Sequence, residues 1–242
     1  MVNPNKIQPS TISKSLKVIH EKLEIVALYA DIRRFSLWAR ENSLEQAAEV
    51  IQIKYERVIQ LAQDYKHTYH KFLGDGFLLI WELDNSRTMT EALHQSLGAA
   101  FELHEKYWYL SEQLTYTPPE GMGISISCGE VIKVRPRSFS QELNEPDFVG
   151  YPLNCGARLQ HLAAPYGVVL DSKGAEIVTE VSAKNKTTNT NFEMVDPTTK
   201  AKEKASTFKG LKEKDRQNFK YVTSPYLQKE LWETDGRLYG RL

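Results

Sequence analysis

The sequence has little cysteine, and this scarcity excludes several kinds of protein. Only Cys128 and Cys155 occur among its 242 residues. Two thiols are too few for a disulfide framework or for a zinc site with four thiolate ligands. We therefore expect a reducing environment, in which both cysteines are buried as small apolar side chains.

An excess of either charge is also missing. The chain has 31 basic and 31 acidic side chains, so its formal net charge is zero. Proteins that bind nucleic acid or anionic membranes over a broad surface usually carry a net positive charge. We therefore expect no nucleic-acid partner.

Long apolar runs are absent as well. No window approaches the roughly 18 uninterrupted apolar residues of a membrane span, and residues 1–15 lack the apolar centre of a secretory signal. The sequence thus predicts no membrane span and a cytoplasmic protein. With 41% hydrophobic residues, the chain can nevertheless build a substantial core.

The apolar pattern divides the chain into a lead-in segment (1–23), a central domain (24–222) and a polar tail (223–242). Helical spacing predicts a short helix over 10–23 and longer helices over 43–62 and 85–113. Residues 24–30 are typical of a strand buried on both faces. The glycines around Asp75 indicate a hairpin over 67–82.

The second half of the domain has shorter elements. Strands are predicted over 122–127, 131–134 and 168–170, helices over 154–163 and 172–178, and a hairpin-like piece over 208–222. Residues 182–207 are poor in apolar side chains and are predicted to form a mobile loop region. This order favours an α+β fold, with helices on one face of a largely antiparallel sheet.

Two acids are candidate metal ligands. Asp31 ends the first predicted strand, and Asp75 lies at the tip of the hairpin. If the strand and the hairpin are neighbours, both carboxylates project from one sheet edge and can hold a pair of divalent ions. Aspartate is also common at strand ends and in turns for structural reasons, so spacing alone does not decide between the two interpretations.

Four ordered blocks resolve this choice: EIVALYADIRRFSLWA, KFLGDGFLLIWE, GISISCGEV and DFVGYPLNCGARL. Over residues 24–222 the chain resembles the catalytic domain of class III nucleotidyl cyclases, the family of adenylate and guanylate cyclases. The resemblance implies a ferredoxin-like mixed sheet of the class III cyclase type. Diguanylate cyclases share related topology, but their characteristic turn is replaced here by GDGF.

The resemblance also implies a role for individual residues. Asp31, Asp75 and the backbone carbonyl of Ile32 match the metal ligands. Asn154 and Arg158 match the pair that orients the ribose and stabilises the pentavalent phosphorus. Residues that match substrate contacts are Lys71 and Asp147 near the base, Lys209 or Lys212 at the triphosphate, and Phe35.

The implied reaction is intramolecular and uses two divalent ions, Mn²⁺ or Mg²⁺. The ribose 3′-hydroxyl attacks the α-phosphorus of a nucleoside triphosphate, and pyrophosphate leaves. In this family the metal-binding acids and the Asn/Arg pair come from different subunits. The resemblance therefore implies a homodimer with shared active sites.

The identity of the base is the open part of this interpretation. Arg34 and Tyr151 stand where the family usually has smaller or more polar residues. With these two residues and its short length, the chain resembles bacterial pyrimidine cyclases of antiphage signalling, which make cyclic UMP or cyclic CMP. UTP is favoured over CTP. An adenylate cyclase is the alternative, since Lys71 and Asp147 are of the types that recognise adenine.

A catalytically silent, nucleotide-binding module is a further alternative. The presence of Asp31, Asp75, Asn154 and Arg158 together argues against it, because a decayed site is expected to lose at least one of them. The sequence identifies neither the activating signal nor the receptor of the cyclic nucleotide.

Overall fold

The computed structural model describes residues 19–108, 110–135, 145–163, 167–184 and 193–223. Within these ranges the strands are β1 (Ile19–Ile32), β2 (Tyr69–Leu73), β3 (Gly76–Glu82), β4 (Met122–Arg135), β5 (Asp147–Val149), β6 (Gly167–Leu170), β7 (Glu193–Val195) and β8 (Lys220–Thr223). The helices are α1 (Phe35–Glu41), α2 (Leu44–Asp64), α3 (Met89–Trp108), α4 (Leu110–Gln113), α5 (Tyr151–Leu159), α6 (Ser172–Lys184), α7 (Thr199–Ser206) and α8 (Glu213–Gln217). A 3₁₀ turn, Gln160–Leu162, continues α5.

The strands form one mixed sheet in the order β2-β3-β1-β4-β6-β8-β7, and β5 pairs with β4. The β4–β6 pair is parallel, and the other pairs are antiparallel. Strand β1 lies between β3 and β4, so it is hydrogen-bonded on both edges. The predicted α+β class with a mixed sheet is therefore confirmed.

Helices cover both faces of the sheet. Val26 and Leu28 of β1 belong to the main core under α2, α3 and α6, which we call the α2 face. Ile25 and Ala27 point the other way, toward Leu153 of α5. This second face, the α5 face, also includes α7 and β8. The prediction of helices on one face holds for α2, α3 and α6 and is wrong for α5 and α7.

The start of the domain also differs from the prediction. Residues 19–23, expected to belong to a helix, are the first part of β1, and residues 10–18 lie outside the described ranges. Strand β1 pairs with β4 over its whole length, from Ile19 opposite Arg135 to Ile32 opposite Met122. This continuous ladder outweighs the helical spacing of a few apolar side chains.

The region 182–207 contains regular structure that its composition did not indicate. Helix α6 extends to Lys184, and α7 occupies 199–206. Thr198 caps α7 by accepting a hydrogen bond from the Ala201 amide, and Ala201 and Ala205 are buried on one face of the helix. Two alanines four residues apart suffice for packing but give a weak hydrophobic signal.

The last predicted hairpin is also replaced. Residues 213–217 form α8, and β8 pairs with β6 on one side and with β7 on the other. Within the part of the chain that the structure describes, no helix combines the length and the apolar character that a bilayer crossing requires.

Candidate functional site

Asp31 and Asp75 lie together at one end of the sheet. In the β1–β3 pairing, Asp31 is opposite Gly76, the residue that follows Asp75. Burial raises the pKa of the Asp75 carboxyl, and the nearby charge of Asp31 raises it further. The predicted juxtaposition of these two acids is therefore present in the fold.

The backbone of the hairpin turn allows this close approach. Gly74 has φ of +69°, a conformation that glycine adopts without strain. A Cβ atom at Gly76 would lie 3.1 Å from the Ala30 carbonyl oxygen and 3.9 Å from the Asp31 Cα. The glycine after Asp75 thus lets β1 and the turn come together.

The pair of acids fits divalent ions. Two partly buried carboxylates close enough to raise a pKa repel each other, and a cation between them would remove that cost. Oxygen donors of this kind are the ligands that Mg²⁺ and Mn²⁺ prefer. The predicted third ligand, the Ile32 carbonyl, belongs to the adjoining residue at the end of β1.

Lys54 is a further member of this site that the sequence interpretation missed. Its ammonium donates to the Gly74 carbonyl at 2.7 Å and to the Gly76 carbonyl at 3.4 Å. Burial lowers its pKa to about 8, against the opposing effect of Asp75 and Asp31. Its sequence signal is a lysine between Val50 and Val58 on the apolar stripe of α2.

Asn154 and Arg158 lie one turn apart on α5, as their spacing predicted. Asn154 is exposed and Arg158 is partly buried. The Arg158 Nε and Nη2 atoms would be 3.9 Å from a Cβ atom at Gly210. Arg158 therefore lies against the turn that contains Lys209 and leads to Lys212.

Tyr151 connects this turn to the start of α5. Its hydroxyl accepts a hydrogen bond from the Lys212 amide at 2.7 Å and donates one to Asp215 Oδ2 at 2.6 Å. The Lys212 ammonium lies 4.2 Å from the centre of the Tyr151 ring, and both Lys209 and Lys212 are exposed. Lys212 is thus partly engaged by Tyr151 within the chain.

Asp215 belongs to a buried polar cluster with Asp171 and Cys155, whose ligand atoms lie within 4.8 Å of one another. Asp215 Oδ1 accepts from the Ser172 amide and hydroxyl. Both oxygens of Asp171 accept backbone amides, and burial raises its pKa to about 7. All four carboxylate oxygens of Asp171 and Asp215 already accept hydrogen bonds from the protein. The cluster therefore stabilises the fold and is a poorer metal site than Asp31 and Asp75.

Lys71 and Asp147, predicted to contact the base, form an ion pair at 3.1 Å. Both side chains are substantially exposed. Hydrogen bonding to Asp147 raises the pKa of Lys71. Burial raises the pKa of nearby Tyr29 to about 12, and the charge of Asp147 adds to that rise. The pair therefore presents a donor and an acceptor beside an aromatic side chain.

The side chains that follow Asp31 make contacts within the chain. Phe35 is partly buried against the core of the α2 face, and its ring stacks on Trp38 at 6.0 Å. Arg34 forms an exposed ion pair with Glu120 at 2.9 Å. Arg33 donates to the Gln160 carbonyl after α5. A substrate contact for Phe35 remains a prediction.

The candidate residues thus form two groups within one chain. The first contains Asp31, Asp75 and Lys54 at the hairpin end of the sheet. The second contains Asn154, Arg158, Lys209 and Lys212 around α5 and the segment that precedes α8. The Lys71–Asp147 pair bridges β2 and β5.

Comparison of the fold with solved structures relates this arrangement to known proteins. The adenylyl cyclase CyaB from P. aeruginosa superposes with a TM-score of 0.60, at 15% identity, over 67% of this chain and 84% of that one. The chain has a nucleotidyl cyclase fold. The guanylyl cyclase Cya2 gives a TM-score of 0.59 at 18% identity, over 84% of this chain and 91% of that one.

A fungal structure extends the same similarity. A dimeric guanylyl cyclase domain of the RhoGC fusion protein from Blastocladiella emersonii gives a TM-score of 0.61 at 10% identity, over 86% of this chain and 98% of that one. No protein-family model matches the sequence, and no curated protein is significantly similar to it. At these identities the cyclase likeness is a likeness of fold.

Proposed function

We propose that this protein is a metal-dependent nucleotidyl cyclase that converts a nucleoside triphosphate into a 3′,5′-cyclic nucleotide and pyrophosphate. The observation that carries the proposal is the juxtaposition of Asp31 and Asp75 at the sheet end of a cyclase fold. An aspartate pair with a structural role only would need a cationic or hydrogen-bonding partner to offset its mutual repulsion. The Lys54 ammonium bonds to the turn carbonyls, and its charge offsets only part of this repulsion, since the pKa of Asp75 is still raised.

The metal-binding residues in this proposal are Asp31, Asp75 and the Ile32 carbonyl. Two divalent ions held there would supply Lewis-acid chemistry, which would acidify the ribose 3′-hydroxyl and offset the charge of the triphosphate. The polyanionic substrate is thus accommodated locally, although the whole chain has no net charge.

The residues of α5 act on the other side of the reacting bond. As the 3′-oxygen attacks the α-phosphorus, negative charge grows on the phosphoryl oxygens, and the Arg158 guanidinium can donate hydrogen bonds to them. Asn154, one turn earlier, orients the ribose. Lys209 or Lys212 neutralises the departing pyrophosphate, and of the two Lys212 is partly engaged by Tyr151.

A homodimer with shared active sites is part of the proposal. Within one chain the Asp31–Asp75 pair and the Asn154–Arg158 pair belong to different groups of contacts. Asn154 and Ala157 are exposed on α5 and Arg158 is partly exposed, so they are available to a second subunit. Each site would combine the acids of one protomer with Asn154 and Arg158 of the partner subunit.

We propose a pyrimidine substrate, UTP before CTP, with ATP as the alternative. Lys71 can donate to O4 of uracil while Asp147 accepts its N3–H, but the same pair can serve N1 and the amino group of adenine. Tyr29 and Tyr69 lie beside this pair and favour a smaller base. Tyr151 no longer supports this choice, because its hydroxyl is directed to Asp215 and Lys212.

One experiment tests the activity and the substrate together. The protein is incubated separately with ATP, GTP, CTP and UTP in the presence of Mn²⁺ or Mg²⁺, and the products are identified by mass. We expect cyclic UMP. Cyclic AMP would establish the adenylate alternative, and the absence of any cyclic nucleotide would favour a silent nucleotide-binding module. A role in antiphage signalling would require that infection raise the cellular level of that product.

A further inference from the structure

Lys54 is buried to a degree that is unusual for a lysine. It lies on α2 with 5% of its surface exposed, on the face that packs toward the sheet. Its neighbours along that stripe, Val50, Val58 and Leu61, are fully buried apolar residues of the main core. A charged group is costly in this environment unless its hydrogen bonds are satisfied.

The ammonium satisfies this requirement with backbone atoms of the hairpin turn. It donates to the carbonyls of Gly74 and Gly76, the residues on either side of Asp75. It also lies 4.7 Å from the ring centre of Tyr55 and 5.9 Å from that of Phe77, which adds cation–π attraction. Lys54 is thus bonded on both sides of Asp75, closely to Gly74 and at longer range to Gly76.

Besides Lys54, the turn is held by a long backbone hydrogen bond, from the Ile32 amide to the Asp75 carbonyl at 3.4 Å. Gly74 has no side chain and a Cβ atom there would meet nothing within 4 Å. The Tyr55 hydroxyl also donates to the Gly74 carbonyl, but this bond is long, at 3.4 Å, and exposed. A two-residue turn with a glycine on each side of its aspartate has many accessible conformations.

We infer that Lys54 is a positioning residue that holds the Gly74–Gly76 turn in the conformation in which the Asp75 carboxylate stands beside Asp31. The inference rests on the proposed function, in which these two acids bind divalent ions together. Partners that orient metal ligands commonly change metal affinity by about 10- to 100-fold when they are removed.

A purely structural role is the competing interpretation, and metal affinity separates the two. Mn²⁺ binding to the full-length protein is measured by electron paramagnetic resonance without nucleotide, for wild type, Lys54→Met and Lys54→Arg. Lys54→Met keeps the apolar stem and removes the donors. Lys54→Arg restores donors to the turn. Lys133→Met is the matched control, because Lys133 is a poorly exposed lysine that is paired with Glu82 at 2.6 Å.

We expect Lys54→Met to weaken Mn²⁺ binding by about 10-fold or more, Lys54→Arg to recover most of that loss, and Lys133→Met to bind as wild type does. Hydrogen exchange at the Gly74–Gly76 amides should be faster in Lys54→Met. If Lys54→Met does not fold, the same comparison is made between Lys54→Arg and Lys54→Gln. Mn²⁺ affinities within twofold of wild type in a folded variant without the ammonium overturn the inference, as does a wild type that binds no Mn²⁺.

Turnover distinguishes this inference from the proposed function. If none of the four nucleoside triphosphates is cyclised while Mn²⁺ binds and Lys54→Met weakens it, the cyclase proposal fails and the role of Lys54 stands. If wild type is an active cyclase and Lys54→Met matches it in Mn²⁺ affinity and in the metal concentration for half-maximal rate, the role of Lys54 fails alone.

Discussion

The backbone amide of Ile32 donates a hydrogen bond to the backbone carbonyl of Asp75, with 3.4 Å between nitrogen and oxygen. This contact joins the end of β1 to the turn between β2 and β3. It places the two segments that carry Asp31 and Asp75 against each other although they are far apart in the sequence. The site is therefore held by the backbone as well as by side chains.

Loss of either acid should abolish cyclisation. Asp31→Ala and Asp75→Ala each leave a single carboxylate, and we expect product formation to fall on the order of 100-fold or more. Stability should not fall, because each change removes a partly buried carboxylate and, with it, the repulsion that adds to the effect of burial on the pKa of Asp75. Cyclic product is measured by mass spectrometry and dimerisation by size-exclusion chromatography.

Asp64→Ala serves as the control for these variants. It removes an exposed carboxylate at the end of α2, away from the turn. We expect full activity. Mn²⁺-dependent turnover that persists in Asp31→Ala or Asp75→Ala would contradict the metal assignment.

A mixture of two inactive variants should regain activity if the sites are shared. In a heterodimer of Asp31→Ala and Arg158→Ala protomers, one site contains both defects and the other contains none. With random exchange, about a quarter of all sites should be intact. The measurement compares product formation by the mixture with that of each variant alone. No recovery in dimers that demonstrably exchange subunits would mean that each chain uses its own Asn154 and Arg158.

The features that were predictable from the sequence are those with local causes. The capping box of α2 follows from the spacing of Ser43 and Gln46, and both of its hydrogen bonds are present. The hairpin around Asp75 follows from its glycines. The placement of Asn154 and Arg158 on one helix follows from their spacing.

The features that were missed depend on contacts between distant segments. Lys54 gains its role only because α2 passes beneath the hairpin turn. A strand that contained both His67 and His70 would place them on opposite faces. His67 instead precedes β2, and the His67 Nε2 and His70 Nδ1 atoms are 3.1 Å apart. Tyr151 was interpreted through its size, whereas its hydroxyl determines its position.

Removal of the Tyr151 hydroxyl should lower stability and leave base preference unchanged. In Tyr151→Phe, the Lys212 amide and Asp215 each lose a hydrogen-bond partner, which costs about 1–3 kcal/mol. The free energy of unfolding is measured in urea, and the relative rates with the four nucleoside triphosphates are compared with wild type. A changed order of substrates would place Tyr151 at the base after all.

The close packing of α5 on the sheet should be sensitive to a single methyl group. A Cβ atom at Gly156 would lie 2.8 Å from both Ser127 Oγ and Tyr29 Cδ2. Gly156→Ala should therefore displace α5, destabilise the protein by about 1–3 kcal/mol and reduce turnover through Arg158. Ala157→Ser, at an exposed position of the same helix, should have little effect on either quantity. An unchanged free energy of unfolding in Gly156→Ala would show that α5 packs less closely on the sheet than these distances indicate.

His104 should make the protein sensitive to acid. It is fully buried on α3, its Nε2 atom is 3.3 Å from the Gly167 carbonyl, and burial lowers its pKa to about 3. Between the ordinary pKa near 6.5 and this value, the unfolded chain binds a proton that the folded protein does not. The free energy of unfolding should therefore fall as pH drops through that window, by at most about 1.4 kcal/mol per pH unit.

His104→Gln isolates this contribution. Glutamine keeps an N–H donor for the Gly167 carbonyl but does not titrate. Urea unfolding at pH 7, 6 and 5 should show that the stability advantage of wild type over His104→Gln shrinks as the pH decreases. His20→Gln replaces an exposed histidine of β1. The difference in free energy of unfolding between this variant and wild type should stay constant across the three pH values. A constant difference between wild type and His104→Gln across this range would mean that His104 takes up a proton in the folded protein as readily as in the unfolded chain.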